Sequence, residues 1–293
     1  MQQQAPHSAP PPNASGNIVI TSDTKDERAL PAKTGFFSRA TVFGPVERDH
    51  GDLPLLAMSF VTGMVDGASF RNWGMFIGMQ TGNTVILGLS TAGLPANPHV
   101  WLTTLVSILT FLLGAFCTFR LSRIIAPDGP HRNRFWTSML FLVQALLILL
   151  SAALATPSHL IPQEPGGTSR TTKDTPSVLQ NIRIVSLIPP LAFQSGVQIA
   201  TSRLLGFNEL PVNVLTSTYC DLMGDAKLMA TNNVRRNRRV ASVVLLLIGS
   251  IVGGWLMRSE GGLMSVLWLS GGIKFVVAGA VFALLPALKE IPK

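Results

Sequence analysis

Four stretches of this sequence run for about the length of a membrane crossing without a single Asp, Glu, Lys or Arg. They are Trp101–Phe119, Phe135–Thr156, Ile184–Ser202 and Val240–Met257. An α-helix needs roughly 20 apolar residues to cross a hydrocarbon core of about 30 Å, and each stretch is close to that length. Only 13% of the residues are charged, about half the share of a soluble domain. The pattern predicts an all-α integral membrane protein.

Hydropathy divides the chain into a tail and a polytopic domain. Residues 1–50 are polar and proline-rich, and a segment with so little apolar surface is expected to be disordered. The transmembrane domain is expected over 51–288. Its predicted full spans are about 53–70, 101–122, 135–156, 184–204, 240–257 and 263–285.

The stretch 73–94 is apolar but has a polar, glycine-containing centre, which is unfavourable for a helix that faces lipid. It is predicted either to enter the membrane and return or to form a seventh span. The arginines in 120–134 and 235–239 should face the cytoplasm in both cases. Six spans also put both termini in the cytoplasm, whereas seven spans must move a tail with five basic residues across the membrane. We therefore favour six.

The two halves of the domain resemble each other. Phe60, Gly63 and Ser69 in the first half match Phe193, Gly196 and Ser202 in the second, and a polar stretch and two further spans follow in each half. With three full spans per half, the halves would have opposite orientations, as in many secondary transporters. This predicts a 3+3 inverted repeat with polar broken or re-entrant segments.

The segment from Gly63-Met-Val-Asp66 to Thr81-Gly82-Asn83-Thr84, with Gly196-Val-Gln198 and Thr216 downstream, resembles the YoaK/DUF1275 family. The resemblance covers roughly residues 50–287, and the long polar tail outside it looks like a fungal type of extension. It implies a polytopic helical membrane protein without an established activity. The second half departs from the first, since Ile199 stands where Asp66 would be expected.

Polar side chains inside the predicted spans are the candidate lining of a path for a small solute or ion. They are Asp66, Gln80, Thr81, Asn83, Thr84, Gln194, Gln198, Asn213, Thr216 and Lys274. A carboxylate in a span costs about 2.5–3.5 kcal/mol on insertion scales, so Asp66 should face the bundle interior. The alternative for Asp66 is a structural hydrogen-bonding role. The alternative for residues 80–84 is that they satisfy free backbone groups at a helix break.

Lys274 is the second charge predicted at membrane depth. It is expected either to form an ion pair with Asp66, because buried charges usually have partners, or to extend toward the membrane surface or meet a carbonyl group instead. Two pairs of glycines, Gly63 with Gly67 and Gly249 with Gly253, each place small residues on one helix face. They predict close helix packing within the chain, with a homo-oligomer interface as the alternative.

These features favour a small-solute transporter or permease, with proton coupling as one option. The alternative is a non-transporting accessory or assembly protein. Nucleic acid is not expected as a partner despite a net charge of +8, because the basic residues flank the apolar blocks and form no single stripe. We expect the lipid bilayer and a small solute as partners, no enzyme activity, and neither a metal nor another cofactor, since all five histidines lie in the tail or loops.

Overall fold

The computed structural model describes residues 51–95, 100–127, 133–156, 185–210 and 212–284. The predicted tail, residues 1–50, lies outside this part of the chain. The described residues form eight helices and no strand. The helices are α1 (Asp52–Trp73), α2 (Gln80–Thr91), α3 (Val100–Ile125), α4 (Arg134–Ala155), α5 (Ile188–Leu204), α6 (Thr216–Met223), α7 (Val234–Leu256) and α8 (Gly262–Leu284).

Five of these helices, α1, α3, α4, α7 and α8, are long and apolar enough to cross a membrane. Helix α5 has 17 residues, which corresponds to about 25 Å and approaches the hydrocarbon thickness. The prediction of an all-α polytopic membrane protein is confirmed. Helix α7 begins six residues before the predicted span at 240, because the Asn233 side chain accepts a hydrogen bond from the Arg236 amide and caps the helix.

The bundle has two distinguishable ends. At the basic end, α1, α4 and α7 begin and α3, α5 and α8 finish. Arg238 joins the start of α7 to Asp52 at the start of α1 (2.8 Å) and to Glu209 after α5 (3.1 Å). The described basic residues in the first and last turns of these helices and in the adjoining loops are Arg120, Arg123, Arg134, Arg203, Lys227, Arg235, Arg236, Arg238 and Arg239. At the opposite end the described charged residues are Arg71, Arg258 and Glu260.

Helix directions establish how many times the chain crosses. Helices α1 and α7 run parallel, since Asp52 meets Arg238 at their starts and Asn72 meets Met257 at their ends. Direction alternates with each crossing, so α7 runs parallel to α1 when α3, α4 and α5 alone cross between them. A further crossing by α2 would reverse α7. Helix α2 has 12 residues, about 18 Å, too short to cross a core of about 30 Å. The structure therefore fits six spans.

The first broken segment enters from the opposite end of the bundle. Helix α1 stops at Gly74, which adopts φ 67° and donates its amide hydrogen to the Phe70 carbonyl. This left-handed conformation is favourable for glycine and reverses the chain. Residues 75–79 then run back toward the middle of the bundle, where the Ile77 and Gly78 amides meet Asp66. Helix α2 returns to the end from which the segment entered.

The second broken segment enters from the basic end. Residues 205–210 and 212–215 follow α5, and Asn213 lies back along that helix against Ser195. Val212, just before Asn213, is buried and has φ 58°, an unfavourable backbone for a β-branched residue. Helix α6 then returns to the basic end, where the Asp221 carbonyl oxygen accepts from Arg239. The two segments thus enter from opposite ends and meet in the middle.

Glycines allow the first helix of each half to cross the third helix of the other half at backbone contact. A Cβ on Gly63 of α1 would overlap the Leu246 carbonyl oxygen of α7, and one on Gly249 of α7 would overlap the Phe60 carbonyl oxygen. These crossings bring two backbones together without intervening side chains.

The same crossing recurs with the halves exchanged. A Cβ on Gly196 of α5 would overlap the Phe111 carbonyl oxygen of α3, and one on Gly114 would overlap the Phe193 carbonyl oxygen. Helices α4 and α8 pack antiparallel, with the Ser138 hydroxyl donating to the Ala278 carbonyl oxygen at 2.8 Å. Matching crossings and this antiparallel pair are the arrangement of a 3+3 inverted repeat.

Candidate functional site

Lys274 of α8 lies at the centre of the bundle with no solvent exposure. Its ammonium group donates to three glutamine side-chain oxygens: Gln144 at 2.9 Å, Gln194 at 2.7 Å and Gln198 at 2.5 Å. An ammonium has three hydrogens to donate, so all of them are used. The acceptors come from α4 and α5, and the charge is therefore held by both halves of the protein.

Gln198 connects this ammonium to the second broken segment. Its amide nitrogen donates to Thr62 Oγ1 at 2.7 Å and to Asn213 Oδ1 at 2.6 Å. Asn213 in turn donates to the Ser195 carbonyl oxygen at 3.1 Å and to Ser195 Oγ at 2.9 Å. The network fixes the end of one broken segment against α1 and α5.

Asp66 performs the corresponding task for the first broken segment. Its Oδ1 accepts from the Ile77 amide at 2.8 Å and from the Gly78 amide at 2.7 Å. Its Oδ2 is buried and has no hydrogen-bond partner among the described residues. One carboxylate oxygen therefore stabilises the broken backbone, and the other remains available.

A small cavity lies beside the first broken segment and is lined in part by Ser195, to which Asn213 of the second broken segment donates. Its volume is about 10 Å³, close to the space that one water molecule requires. A Cβ on Gly78 would reach it, 3.0 Å from Asp66 Oδ2 and 3.2 Å from Ser195 Oγ. The lining residues come from α1, the first broken segment and α5: Val61, Thr62, Val65, Asp66, Ile77, Gly78, Gln194, Ser195 and Gln198.

The structure decides between the two alternatives for Lys274. Its three hydrogens go to glutamine carbonyl groups, and Asp66 accepts from two backbone amides. The expectation of a direct Asp66–Lys274 ion pair is wrong. Amide oxygens from two helices supply enough acceptors for an ammonium, so it needs no carboxylate.

Gln80 and Asn83 lie at the first helix break and do not line the cavity. The Asn83 side chain accepts from the Phe76 amide at 2.8 Å and donates to the Phe76 carbonyl oxygen at 2.6 Å. Gln80 donates to the Ile77 carbonyl oxygen at 2.8 Å. Gly82 lies against the Phe76 ring, where a Cβ would come within 2.9 Å of the ring carbons. Asn83 of the Thr-Gly-Asn-Thr motif, together with Gln80 before it, therefore supplies hydrogen-bond partners for backbone groups that the helix break leaves free.

Three predicted site threonines lie away from the cavity. Thr81, Thr84 and Thr216 are exposed on the short helices α2 and α6. Thr84 donates to the Gln80 carbonyl oxygen of its own helix at 2.9 Å. Their neighbourhood in sequence to the buried Asn83 does not bring them inward, because successive helical residues lie on different faces.

Sequence reasoning missed three residues at the centre. Gln144 is the one amide in the apolar stretch 135–156, and a single polar side chain at membrane depth is a usable signal. Ser195 follows Gln194 and is buried against Asn213. Gly78 contributes its backbone amide and its lack of a side chain, and the sequence gives no sign of either.

The four glycines predicted to pack lie between α1 and α7 within one chain. Gly63 and Gly249 meet the backbone of the facing helix, and Gly253 lies against Met64. Gly67 lies opposite Ser250 at ordinary van der Waals distance, with a hypothetical Cβ 3.8 Å from its carbonyl oxygen. Their small-residue faces are thus occupied inside the described chain.

Fold and site together define a polytopic helical membrane protein in which two re-entrant segments meet at a buried polar centre. The family model described as "Protein of unknown function (DUF1275)" matches residues 54–280, and the chain belongs to this family. No curated protein and no solved structure matches the chain.

Proposed function

We propose that this protein is a small-solute transporter or permease. The observation that carries the proposal is the meeting of two re-entrant segments, entering from opposite ends, at a buried polar cluster beside a cavity. Broken backbone at membrane depth is tolerated where it is buried in protein or lines a cavity. Inverted repeats around a central site are also the architecture that alternating access uses.

The proposed mechanism uses the two halves as two gates. Each broken segment is held in the centre by a few side-chain hydrogen bonds: Asp66 holds the Ile77 and Gly78 amides, and Asn213 bonds Ser195. Release of one segment would open a path to its own end of the bundle while the other segment stays closed. The cavity of about 10 Å³ then corresponds to an occluded state.

The same proposal includes an orientation and partners. The basic end would face the cytoplasm, since arginine and lysine collect on that side of membrane proteins. The partners would be the lipid bilayer and a small solute, with neither nucleic acid nor catalysis required. A homo-oligomer would have to use surfaces other than the α1–α7 contact.

Flux into proteoliposomes tests the proposal. Vesicles containing the full chain and a pH-sensitive dye would be exposed to small solutes, including ammonium, acetate, urea, glycerol and neutral amino acids, with and without a proton gradient. We expect saturable uptake of at least one solute, reduced at least tenfold by Asp66→Asn. Asp221→Asn, at a half-exposed carboxylate of the basic end, serves as the control and should keep full flux.

Uptake equal to that of protein-free vesicles across the whole panel would count against transport and favour the accessory role. Equal flux in Asp66→Asn and wild type would place any path away from the central cluster.

A further inference from the structure

The charges around the central cavity indicate which kind of ligand it can bind. Within the described part of the chain, Asp66 Oδ2 is an acceptor without a hydrogen-bond partner, on a residue that is 4% exposed. The ammonium of Lys274, by contrast, has already given its three hydrogens to glutamine oxygens. An anion would find no free cationic donor here, whereas a cation would find a carboxylate oxygen. The site is therefore built for a positive ligand or a hydrogen-bond donor.

The size of the cavity restricts the ligand further. About 10 Å³ accommodates one water-sized particle and excludes amino acids, sugars and hydrated ions. Calcium takes six to eight oxygen ligands and magnesium demands near-ideal octahedral geometry. Among the described residues, no group of three or more His, Cys, Asp or Glu side chains could hold such an ion. A single carboxylate with neutral oxygens suits a monovalent ion better.

We propose that the cavity between Asp66 and Ser195 binds one dehydrated monovalent cation of the size of Na⁺, K⁺ or NH₄⁺. Asp66 Oδ2 supplies the negative charge, and Ser195, which also lines the cavity, supplies the neutral oxygen of its hydroxyl. The ligand would lie next to Gly78 of the first re-entrant segment and beside Ser195, which accepts from Asn213 of the second. This inference rests on the transporter proposal and specifies its coupling ion or its smallest substrate.

Cation binding there would couple the segments. Asp66 holds the first segment through Oδ1, and Ser195 holds Asn213 of the second. A cation shared by Asp66 and Ser195 would therefore strengthen the occluded state, and its departure would leave an unpaired buried carboxylate oxygen. Because ligand binding to one state shifts the population toward it, the ion would control opening.

The test is thermal unfolding of the purified full chain in detergent, titrated with NaCl, KCl or NH₄Cl against choline chloride at constant ionic strength. We expect at least one of the three cations to raise Tm saturably, by about 5–10 °C at a hundredfold excess over Kd. Choline, which is too large for the cavity, should have no specific effect.

Variants then locate the effect. Asp66→Asn removes the charge while its amide oxygen can still accept from Ile77 and Gly78, and it should abolish the cation-dependent shift. Gly78→Ala places a methyl group in the cavity and should also abolish it. Gly88→Ala on α2 is the matched control, because a Cβ there meets nothing within 4 Å, and it should keep the shift. If Gly78→Ala does not fold, Ser195→Ala replaces it, with an expected rise in Kd of at least fivefold.

No difference between the three cations and choline in the wild-type protein would overturn the inference. The same follows if the shift persists in Asp66→Asn and Gly78→Ala, or if Tm depends on pH alone, which would make Asp66 a proton site. Binding is measured without transport, so the two proposals can fail separately. Cation binding without solute flux would refute transport only, and solute flux without cation binding would refute this site only.

Discussion

Replacing Gly249 with alanine tests the helix crossing that carries the repeat. The α7 backbone at Gly249 approaches the Phe60 carbonyl of α1 so closely that a Cβ would overlap it. Relief requires the two helices to separate, and overpacking of this kind costs about 1–3 kcal/mol. Separation would also lengthen the 3.1 Å hydrogen bond from Ser250 Oγ to the Gly63 carbonyl, which is worth about 1 kcal/mol. The expected loss is about 2–4 kcal/mol.

Gly254 provides the control on the same helix. A Cβ at this position meets nothing within 4 Å, so Gly254→Ala should gain the ordinary helix propensity of alanine, up to about 1 kcal/mol. Both variants gain this propensity term equally, so the difference between their free energies of unfolding measures the cost of the clash at the helix crossing. Equilibrium unfolding in detergent mixtures of increasing SDS content would measure both free energies.

Gly114→Ala should behave like Gly249→Ala, because it meets the Phe193 carbonyl in the equivalent crossing of the other half. Equal stability of Gly249→Ala and Gly254→Ala would show that α1 and α7 do not meet at the backbone, and the inverted-repeat packing would lose its main support.

Three further predictions follow from the centre and the ends of the bundle. Asn83→Leu leaves the Phe76 amide without its acceptor and removes one of the two donors to the Phe76 carbonyl oxygen, which keeps the Ser107 hydroxyl. It should lower the free energy of unfolding by about 2–4 kcal/mol, whereas Thr84→Val on the exposed face of α2 should change it by less than about 0.5 kcal/mol. Similar losses from both variants would show that Asn83 does not stabilise the break. Gln198→Leu removes one acceptor from the buried Lys274 ammonium and should lower the free energy of unfolding by about 3 kcal/mol. Adding Lys274→Met should recover part of this loss, because the uncompensated charge disappears. A double variant that is less stable than Gln198→Leu in the same unfolding assay would contradict the network. In a background with Cys117→Ala and Cys220→Ser, an impermeant maleimide added to intact cells or sealed vesicles should label Ser259→Cys and Ser22→Cys from opposite sides; labelling from the same side would refute six spans.

The long helices were predictable because lipid imposes a simple rule. A crossing helix must be apolar for about 20 residues, so α3 and α4 can be located from uncharged sequence alone, and α8 can be located from an apolar run whose one charged residue is Lys274. The predicted start of α7 is too late because its first turns carry four arginines. A hydropathy criterion leaves these charged residues out of the span, although the Asn233 cap makes them part of the helix. The second re-entrant segment was harder, since α6 has only eight residues.

The candidate site was only partly predictable. Asp66, Gln194, Gln198, Asn213 and Lys274 were identifiable as polar groups at membrane depth, and all five lie at the centre. The positions of Thr81, Thr84 and Thr216 depend on the rotation of two short helices, which composition does not determine. The partner of Lys274 was also inaccessible, because three glutamines on two helices converge only after the halves pack.

The exchange of partners between halves has a consequence for how the chain is made. Helix α1 packs on α7, α3 on α5, and α4 on α8, so the main partner of every first-half span is synthesised later. A ribosome that has finished α4 has inserted three spans, yet none of them has met its main partner helix. The glycine faces and the Gln144 amide must then remain exposed to lipid, or be covered by an insertion factor, until the second half has been synthesised. A nascent chain arrested after α4 should accordingly remain protease-sensitive, and one released after α8 should become resistant.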